Sequence, residues 1–374
     1  MIMRSGTPAR ILMTADTVGG VWTYAVDLAR ALGEEGVEVA LACMGGLATE
    51  EQRMEARAID TLELFESTFR LPWMDAPWQD VRQAGDWLLD LAARISPDVI
   101  HLNEPVHGSM AWPAPTLAVA HSCVLSWWES VWSAAAPASW NHYREEMGRG
   151  LRGADQVVAP SRWMLESVRR LYGVKGGRVI PNGRYARDLS PDLKEPLVFA
   201  AGRLWDPAKN LMALEEVAEG LPWPIYIAGE SRHPGWDKRV TADHVQLLGR
   251  LPSKAVAAWL RRASIYAFPA RYEPFGLSVL EAAQAGCGLV LGDLPTLREL
   301  WDGAAVFVPP DQPHTLRLAL EGLIEDAPLR QALAMRARRR ALSYTPQRMT
   351  QAYLQVYTDL LAGKGSYAQE TACM

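Results

Sequence analysis

Apolar residues in this chain fall in short runs rich in Val, Ile, Leu and Ala, separated by longer stretches of helical spacing, and the alternation occurs twice. In the first half, strand-like runs lie at 10–14, 37–43, 98–102, 116–120 and 156–159, and 178–181 closes the series. In the second they lie at 196–200, 225–228, 245–248, 264–268, 288–292 and 305–308. Strands spaced by helices build parallel sheets, so the pattern predicts two α/β domains with Rossmann-like parallel sheets rather than one large sheet. Residues 182–195, rich in Pro, Gly, Asp and Arg and without sustained periodicity, read as the linker between them. The C-terminal stretch is helical. Thr345-Pro346 interrupts it, predicting a kink, after which Met349, Tyr353, Leu354, Val356, Tyr357, Leu360 and Leu361 resume the helical period. The tail from Gly363 reads as loose.

A length of 374 residues exceeds one typical core and agrees with two domains. The formal charge of −5 argues against a nucleic-acid surface, so nucleic acid is not expected as a partner. The four cysteines, Cys43, Cys123, Cys287 and Cys373, have neither metal-site nor disulfide spacing. There is no charged-then-apolar leader and no run of about 18 apolar residues. The expectation is a cytoplasmic protein in a reducing compartment, without a transmembrane segment. Of the 15 tryptophans, Trp127, Trp128, Trp132 and Trp140 concentrate after His121. They are either core or an aromatic acceptor pocket, since flat rings stack on sugars. Arg336, Arg338, Arg339 and Arg340 read as a solvated helix end, with peripheral membrane contact the lesser alternative.

The segment with most chemistry runs from Tyr272 to Gly286, Tyr-Glu-Pro-Phe-Gly-Leu-Ser-Val-Leu-Glu-Ala-Ala-Gln-Ala-Gly. It follows a strand, turns at Pro-Phe-Gly and enters a helix predicted to start near Phe275. Such a helix points free N–H groups and its positive dipole end into the turn, which suits a phosphate. Glu273 sits at that mouth. Glu281, on the inward side with Leu277 and Leu280, needs a hydrogen-bonding partner there. The same residues would also serve an ordinary α/β turn, with Glu281 paired to an arginine.

Other strand ends carry further candidates. Gly202-Arg203 and Lys209-Asn210 place two cations six residues apart, a pairing that suits a diphosphate, although a solvated loop would read the same. Gly19-Gly20, after the first strand and before a helix beginning near Trp22, lets a backbone approach a ligand closely. His121 stands at the end of run 116–120. His101, Asn103, Glu104 and His107 cluster after run 98–102, as acceptor-binding candidates or loop caps. Gly249-Arg250-Leu251-Pro252 and the 292–299 loop, with Asp293 and Glu299, end two further strands.

Glu273, Phe275, Gly276, Leu277 and Glu281 closely resemble the Glu-x7-Glu signature of retaining GT-B glycosyltransferases, in particular glycosyltransferase family 4. The resemblance covers nearly the whole chain and implies two Rossmann-like domains facing across a cleft. Residues 1–185, with the final helix of 346–374 packed back on them, would bind the acceptor, and 186–345 the donor. It implies that Glu273 contacts the donor sugar, Glu281 the ribose, the amides near Gly276 the diphosphate, and Arg203 and Lys209 clamp that diphosphate. Gly19 and Gly20 would face the diphosphate and the acceptor, and Arg250 and Leu251 the base. His121 would contact the transferred sugar, though Ser122 stands where the family usually has Asp or Thr. Asp293 replaces the second glycine of the family's Gly-Gly-x-x-Glu loop, whose Glu299 is expected to order the loop.

The activity implied is retaining transfer of a hexose, glucose in the first instance, from a UDP-sugar to a hydroxyl of a saccharide, lipid-linked or small-molecule acceptor. Asp-x-Asp is absent, so no metal or other cofactor is expected. Catalytic work would fall to Glu273, His121, Arg203 and Lys209, and acceptor contacts to His101, Asn103, Glu104 and Trp127. The rival readings are a silent sugar-nucleotide-binding scaffold, which would be expected to have lost one of Arg203, Lys209, Glu273 or Glu281, and a sugar-nucleotide 2-epimerase.

Overall fold

The structure is a computed structural model that describes residues 7–186, 193–232 and 240–363. Residues 187–192 of the expected linker and the tail from 364 lie outside the described residues. The chain divides into two compact units, Met1–Trp128 with Ala135–Gly183 and Pro346–Met374, and Glu129–Ala134 with Arg184–Thr345.

Up to Gly183 the chain forms β1 (Arg10–Asp16), α1 (Gly20–Glu34), β2 (Glu38–Met44), α2 (Glu50–Arg57), β3 (Leu62–Glu66), α3 (Trp78–Ile95), β4 (Val99–Leu102), β5 (Thr116–Val119), α4 (Val124–Trp132), α5 (Asn141–Gly153), β6 (Gln156–Ala159), α6 (Arg162–Tyr172) and β7 (Arg178–Val179). The seven strands pair in parallel in the order β3-β2-β1-β4-β5-β6-β7. β3 is an addition to the six strands read from the sequence. Its Leu-Glu-Leu-Phe-Glu is only partly buried at the sheet edge, so it lacks the continuous apolar run of an inner parallel strand.

The second unit follows with β8 (Glu195–Ala201), α7 (Ala213–Ala218), β9 (Ile225–Ala228), β10 (Gln246–Gly249), α8 (Ser253–Arg262), β11 (Ala263–Phe268), α9 (Leu277–Gln284), β12 (Gly288–Gly292), α10 (Pro295–Trp301), β13 (Val306–Val308), α11 (Pro313–Glu325) and α12 (Ala327–Ala341). Its six strands run parallel in the order β10-β9-β8-β11-β12-β13. The core is aliphatic and aromatic, with Phe199, Tyr266, Phe268, Leu291 and Trp301 at most 1% exposed. Lys194 ties its first strand to two helix ends, its Nζ donating to the carbonyls of Leu260 (3.0 Å) and Ala285 (2.7 Å). A cation there meets the negative end of each helix dipole.

The last element, α13 (Pro346–Leu361), belongs to the first unit. Met349, Tyr353, Val356, Tyr357 and Leu360 repeat at helical spacing and enter the same core as Ile11, Leu28 and Val119. The expected kink at Pro346 is instead a break. α12 ends at Ala341, and Pro346 is the first residue of the new helix, where its missing N–H has no partner to lose. The residue before a proline is pushed out of helical geometry, which separates the two helices at Thr345.

Both sheets reverse their winding once, between β1 and β4 and between β8 and β11. At such a point the loops leaving neighbouring strands diverge and open a crevice at the strands' carboxyl ends. These two crevices position everything described below.

The first unit also buries two imidazoles. His101 and His107 are 0% and 3% exposed, and burial pushes their pKa values down to about 3 and about 4. Unfolded, both titrate near 6.5. The folded state therefore binds fewer protons between those limits, and stability falls as pH drops below about 6.5, by roughly 1.4 kcal/mol per pH unit for each ring. We expect urea unfolding between pH 6.3 and 4.5, an arbitrary window of about two units inside those limits, to show this loss. His107→Gln should reduce the slope by about 1.4 kcal/mol per pH unit, and an unchanged slope would count against buried neutral rings.

Candidate functional site

In the second unit two loops meet at the β8/β11 crevice. The loop after β8 is ordered by Asp206, which is 5% exposed. Its Oδ1 accepts from Ala208 N (3.0 Å), its Oδ2 pairs with Arg203 Nη2 (2.8 Å), and its carbonyl accepts from Lys209 N (3.0 Å). Asn210 has the left-handed φ of 51° that Asn tolerates, and its Nδ2 donates to the carbonyls of Pro269 and Pro310, both at 2.9 Å. The loop after β11 is laced to the first by Arg271 N and Tyr272 N, which donate to Ala208 O at 2.8 and 3.3 Å. This lacing sets Lys209 beside Glu273.

Lys209 Nζ and Glu273 Oε2 lie 2.8 Å apart, with side chains only 18% and 13% exposed. Glu273 Oε1 accepts from Phe275 N at 3.3 Å. Gly276, at φ 90°, turns the chain into α9, a conformation costly for any residue with a Cβ. The helix therefore starts at Leu277, two residues later than expected. Its first-turn N–H groups, which have no intrahelical acceptors, open on the same corner as Lys209 and Glu273. Arg203 lies over the Trp205 ring, 5.2 Å from its centroid.

One turn along α9, Glu281 Oε1 accepts from Arg184 Nε at 2.6 Å, with side chains 18% and 22% exposed respectively. The partner that Glu281 required is thus Arg184, the first residue of the second unit's long segment. Gln284 Nε2 also donates to the Arg184 carbonyl (2.9 Å), fixing that residue to the helix. Arg250, exposed, and Leu251, half-buried, follow β10. At the 292–299 loop, Arg298 Nη2 donates to Asp293 Oδ2 at 2.8 Å, so Asp293 and Arg298 form an ordering pair that the expectation about Glu299 did not include.

In the first unit the β1/β4 crevice is built from Thr14 to Gly20 and His101 to Glu104. Gly19 and Gly20 are exposed. Asp16 Oδ1 accepts from Val18 N (3.0 Å) and Gly19 N (2.9 Å), and α1 starts at Gly20 rather than near Trp22. A Cβ at Gly19 would meet nothing closer than Asp16 Oδ1 at 3.8 Å, so the protein's own packing does not require glycine there. Burial and the nearby Asp16 push Glu104 up to about 8, so at neutral pH it holds a proton to donate.

His121 lies at the end of β5, half-buried, with Tyr24 edge-on to its ring at 4.4 Å. Its Nε2 is 2.8 Å from Asn103 Oδ1. Burial pushes it down to about 3, so it is neutral. His101, expected among the acceptor contacts or as a loop cap, is fully buried behind Asn103, with Nε2 3.2 Å from Asn103 Oδ1 and Nδ1 2.6 Å from Tyr357 Oη. His107 is also buried and donates from Nε2 to Val81 O (3.1 Å), apart from that group. Trp127 lies on α4, half-buried and edge-on to Trp128. Sequence reasoning missed Asp206, Arg184, Thr14 and Tyr24. Only Asp206 left a signal, an Asp-Pro step that favours turns.

Comparison with known proteins agrees with this architecture. Residues 18–184 match the family model Glycosyltransferase Family 4, and 195–326 match Glycosyl transferases group 1. The chain is 27% identical over 301 residues to a phosphatidyl-myo-inositol mannosyltransferase of Mycolicibacterium smegmatis, covering 73% of each. It is 26% identical over 381 residues to a glycogen synthase of Mycobacterium tuberculosis, covering 91% of each. In fold it resembles the sucrose-phosphate synthase of Thermosynechococcus elongatus, with a TM-score of 0.75 at 18% identity over 95% of this chain and 99% of that one. It also resembles Anabaena Alr3699/HepE, solved with UDP and glucose, with a TM-score of 0.74 at 16% identity over 94% and 100%. The chain has the GT-B fold and belongs to glycosyltransferase family 4.

Proposed function

We propose that this protein is a retaining, metal-independent hexosyltransferase that moves glucose from UDP-glucose to an acceptor hydroxyl. The observation that carries this reading is the pairing of Lys209 with Glu273 at the first turn of α9. A lone carboxylate at a helix N-terminus would repel a diphosphate. Paired to Lys209, which keeps two further N–H donors, Glu273 is free to take sugar hydroxyls while the lysine and the helix amides take phosphate oxygens. Arg203, held by Asp206 and the Trp205 ring, adds a fork for the same diphosphate. These cations stabilise charge growing on the leaving group in the transition state. Retention follows from attack on the leaving-group face, with a donor phosphate oxygen receiving the acceptor's proton. UDP and glucose are the ligands in the HepE structure, which supports trying them first. Arg250 and Leu251 take the base, and Gly19 and Gly20, which the fold does not itself require at position 19, admit the ligand backbone-close. Glu104 and Trp127 serve the acceptor's side of the first unit, while Asn103, with His101 behind it, holds His121. Purified protein given UDP-glucose should release UDP slowly without acceptor. Release from none of the uridine, guanosine or adenosine diphosphate hexoses would reject the assignment.

The two carboxylates should separate by role. Glu281→Gln, which retains an acceptor for Arg184, should weaken UDP binding by about 1.5 to 3 kcal/mol, while Glu273→Gln should leave UDP affinity unchanged and slow turnover. Equal UDP affinity in wild type and Glu281→Gln, measured by calorimetry, would sink the ribose assignment. Arg203→Ala should lower kcat by about a hundredfold, and EDTA should leave the wild-type rate unchanged. Loss of transfer in EDTA with recovery in magnesium or manganese would reject the cation-based account. From an α-linked donor, the first product seen by proton NMR should be α-linked. An initial β-anomer would require a protein base acting from the opposite face.

A further inference from the structure

The orientation of one buried amide fixes the proton positions of two imidazoles. Asn103 Nδ2 lies 2.7 Å from the carbonyl oxygen of Thr14, which can only accept, and Asn103 N donates to Thr14 Oγ1 at 2.8 Å. The amide is therefore held with Oδ1 turned the other way, towards His121 Nε2 at 2.8 Å and His101 Nε2 at 3.2 Å. Oδ1 has no proton to give, so both Nε2 atoms must carry one.

The rings are uncharged, so each Nδ1 is left with a lone pair. At His101 that lone pair accepts from Tyr357 Oη at 2.6 Å, a hydroxyl that can serve either tautomer, so the choice is made by the Asn103 oxygen. Tyr24 Oη, 3.3 Å from His101 Nε2, and the edge of the Tyr24 ring against His121 pack the assembly. At His121 no described residue donates to Nδ1.

We propose that Asn103 is a positioning residue that holds His121 as the Nε2–H tautomer, so that Nδ1 is presented solely as a hydrogen-bond acceptor for a hydroxyl of the sugar being transferred. His121 then neither donates to the substrate nor carries charge to the reaction, and Asn103, expected among the acceptor contacts, acts through it. His101 and Tyr357 brace the amide from behind. The role of the accepted hydroxyl rests on the transferase reading above, whereas the tautomer does not.

Two measurements separate these. Long-range proton–nitrogen NMR of the ligand-free protein should show His121 and His101 with pyrrole-type Nε2 and pyridine-type Nδ1. Either ring found as the Nδ1–H tautomer would overturn the inference without touching the family assignment. In Asn103→Leu the His121 ring should become a tautomer mixture, and kcat with UDP-glucose should drop at least about tenfold, one hydrogen bond's worth, with UDP affinity unchanged. Asn103→Asp, which keeps an acceptor oxygen, guards against a folding defect in the leucine variant. It should hold the Nε2–H tautomer and recover kcat towards the wild-type value, with UDP affinity again unchanged. Unchanged kcat in Asn103→Leu, or a fixed His121 tautomer there, would also overturn the proposal. Absence of UDP release from wild type would sink the transferase reading and leave the tautomer result standing.

Discussion

A parallel sheet buries both faces, so the connection from each strand to the next must cross over one face or the other, in most cases as a helix. That constraint governs both units of this protein. The helices cannot all cross on one side, and where the winding changes side, at β1/β4 and at β8/β11, two loops part. A crevice there is a topological consequence, present before any side chain is chosen. What the sequence adds is the set of short loops that end at its rim, and in each unit those loops carry the polar residues that the core excludes.

The two rims solve the cost of half-buried charge differently. In the second unit the charged groups around the first turns of α9 are paired: Lys209 with Glu273, Arg203 with Asp206, Glu281 with Arg184. Removing either member leaves an uncompensated charge, so these pairs constrain one another as well as any ligand. In the first unit burial acts on the protonation states instead. His101 and His121 are deprotonated and Glu104 is protonated, so these three residues work through directed hydrogen bonds rather than charge.

The inner strands were legible because strands buried on both faces are written as unbroken apolar runs, as at 288–292. β3 was not, because an edge strand with Glu63 and Glu66 resembles a polar loop. The residues at the rims were legible wherever a motif sits within one loop, as in 272–281. Contacts joining distant loops left no trace in local pattern: Lys209 meets Glu273 across 64 positions, and His101 meets Tyr357 across 256. The helix boundary at Pro346 was visible, but its form was not, since proline permits either a kink within a helix or the start of a new one.

The return of α13 to the first unit has a consequence for biosynthesis. Tyr353 and Tyr357 are at 0% exposure in a core whose members outside α13 are all encoded before residue 184. As the chain emerges from the ribosome, that core waits with an open groove while the whole second unit is made. At about 5 to 20 residues per second, the interval is on the order of ten to thirty seconds. The second unit, continuous from Arg184 to Thr345 apart from one short segment, has its sequence complete first. The order of folding is then the reverse of the order of synthesis, and during that interval the unfilled groove is the surface that a holding chaperone would meet.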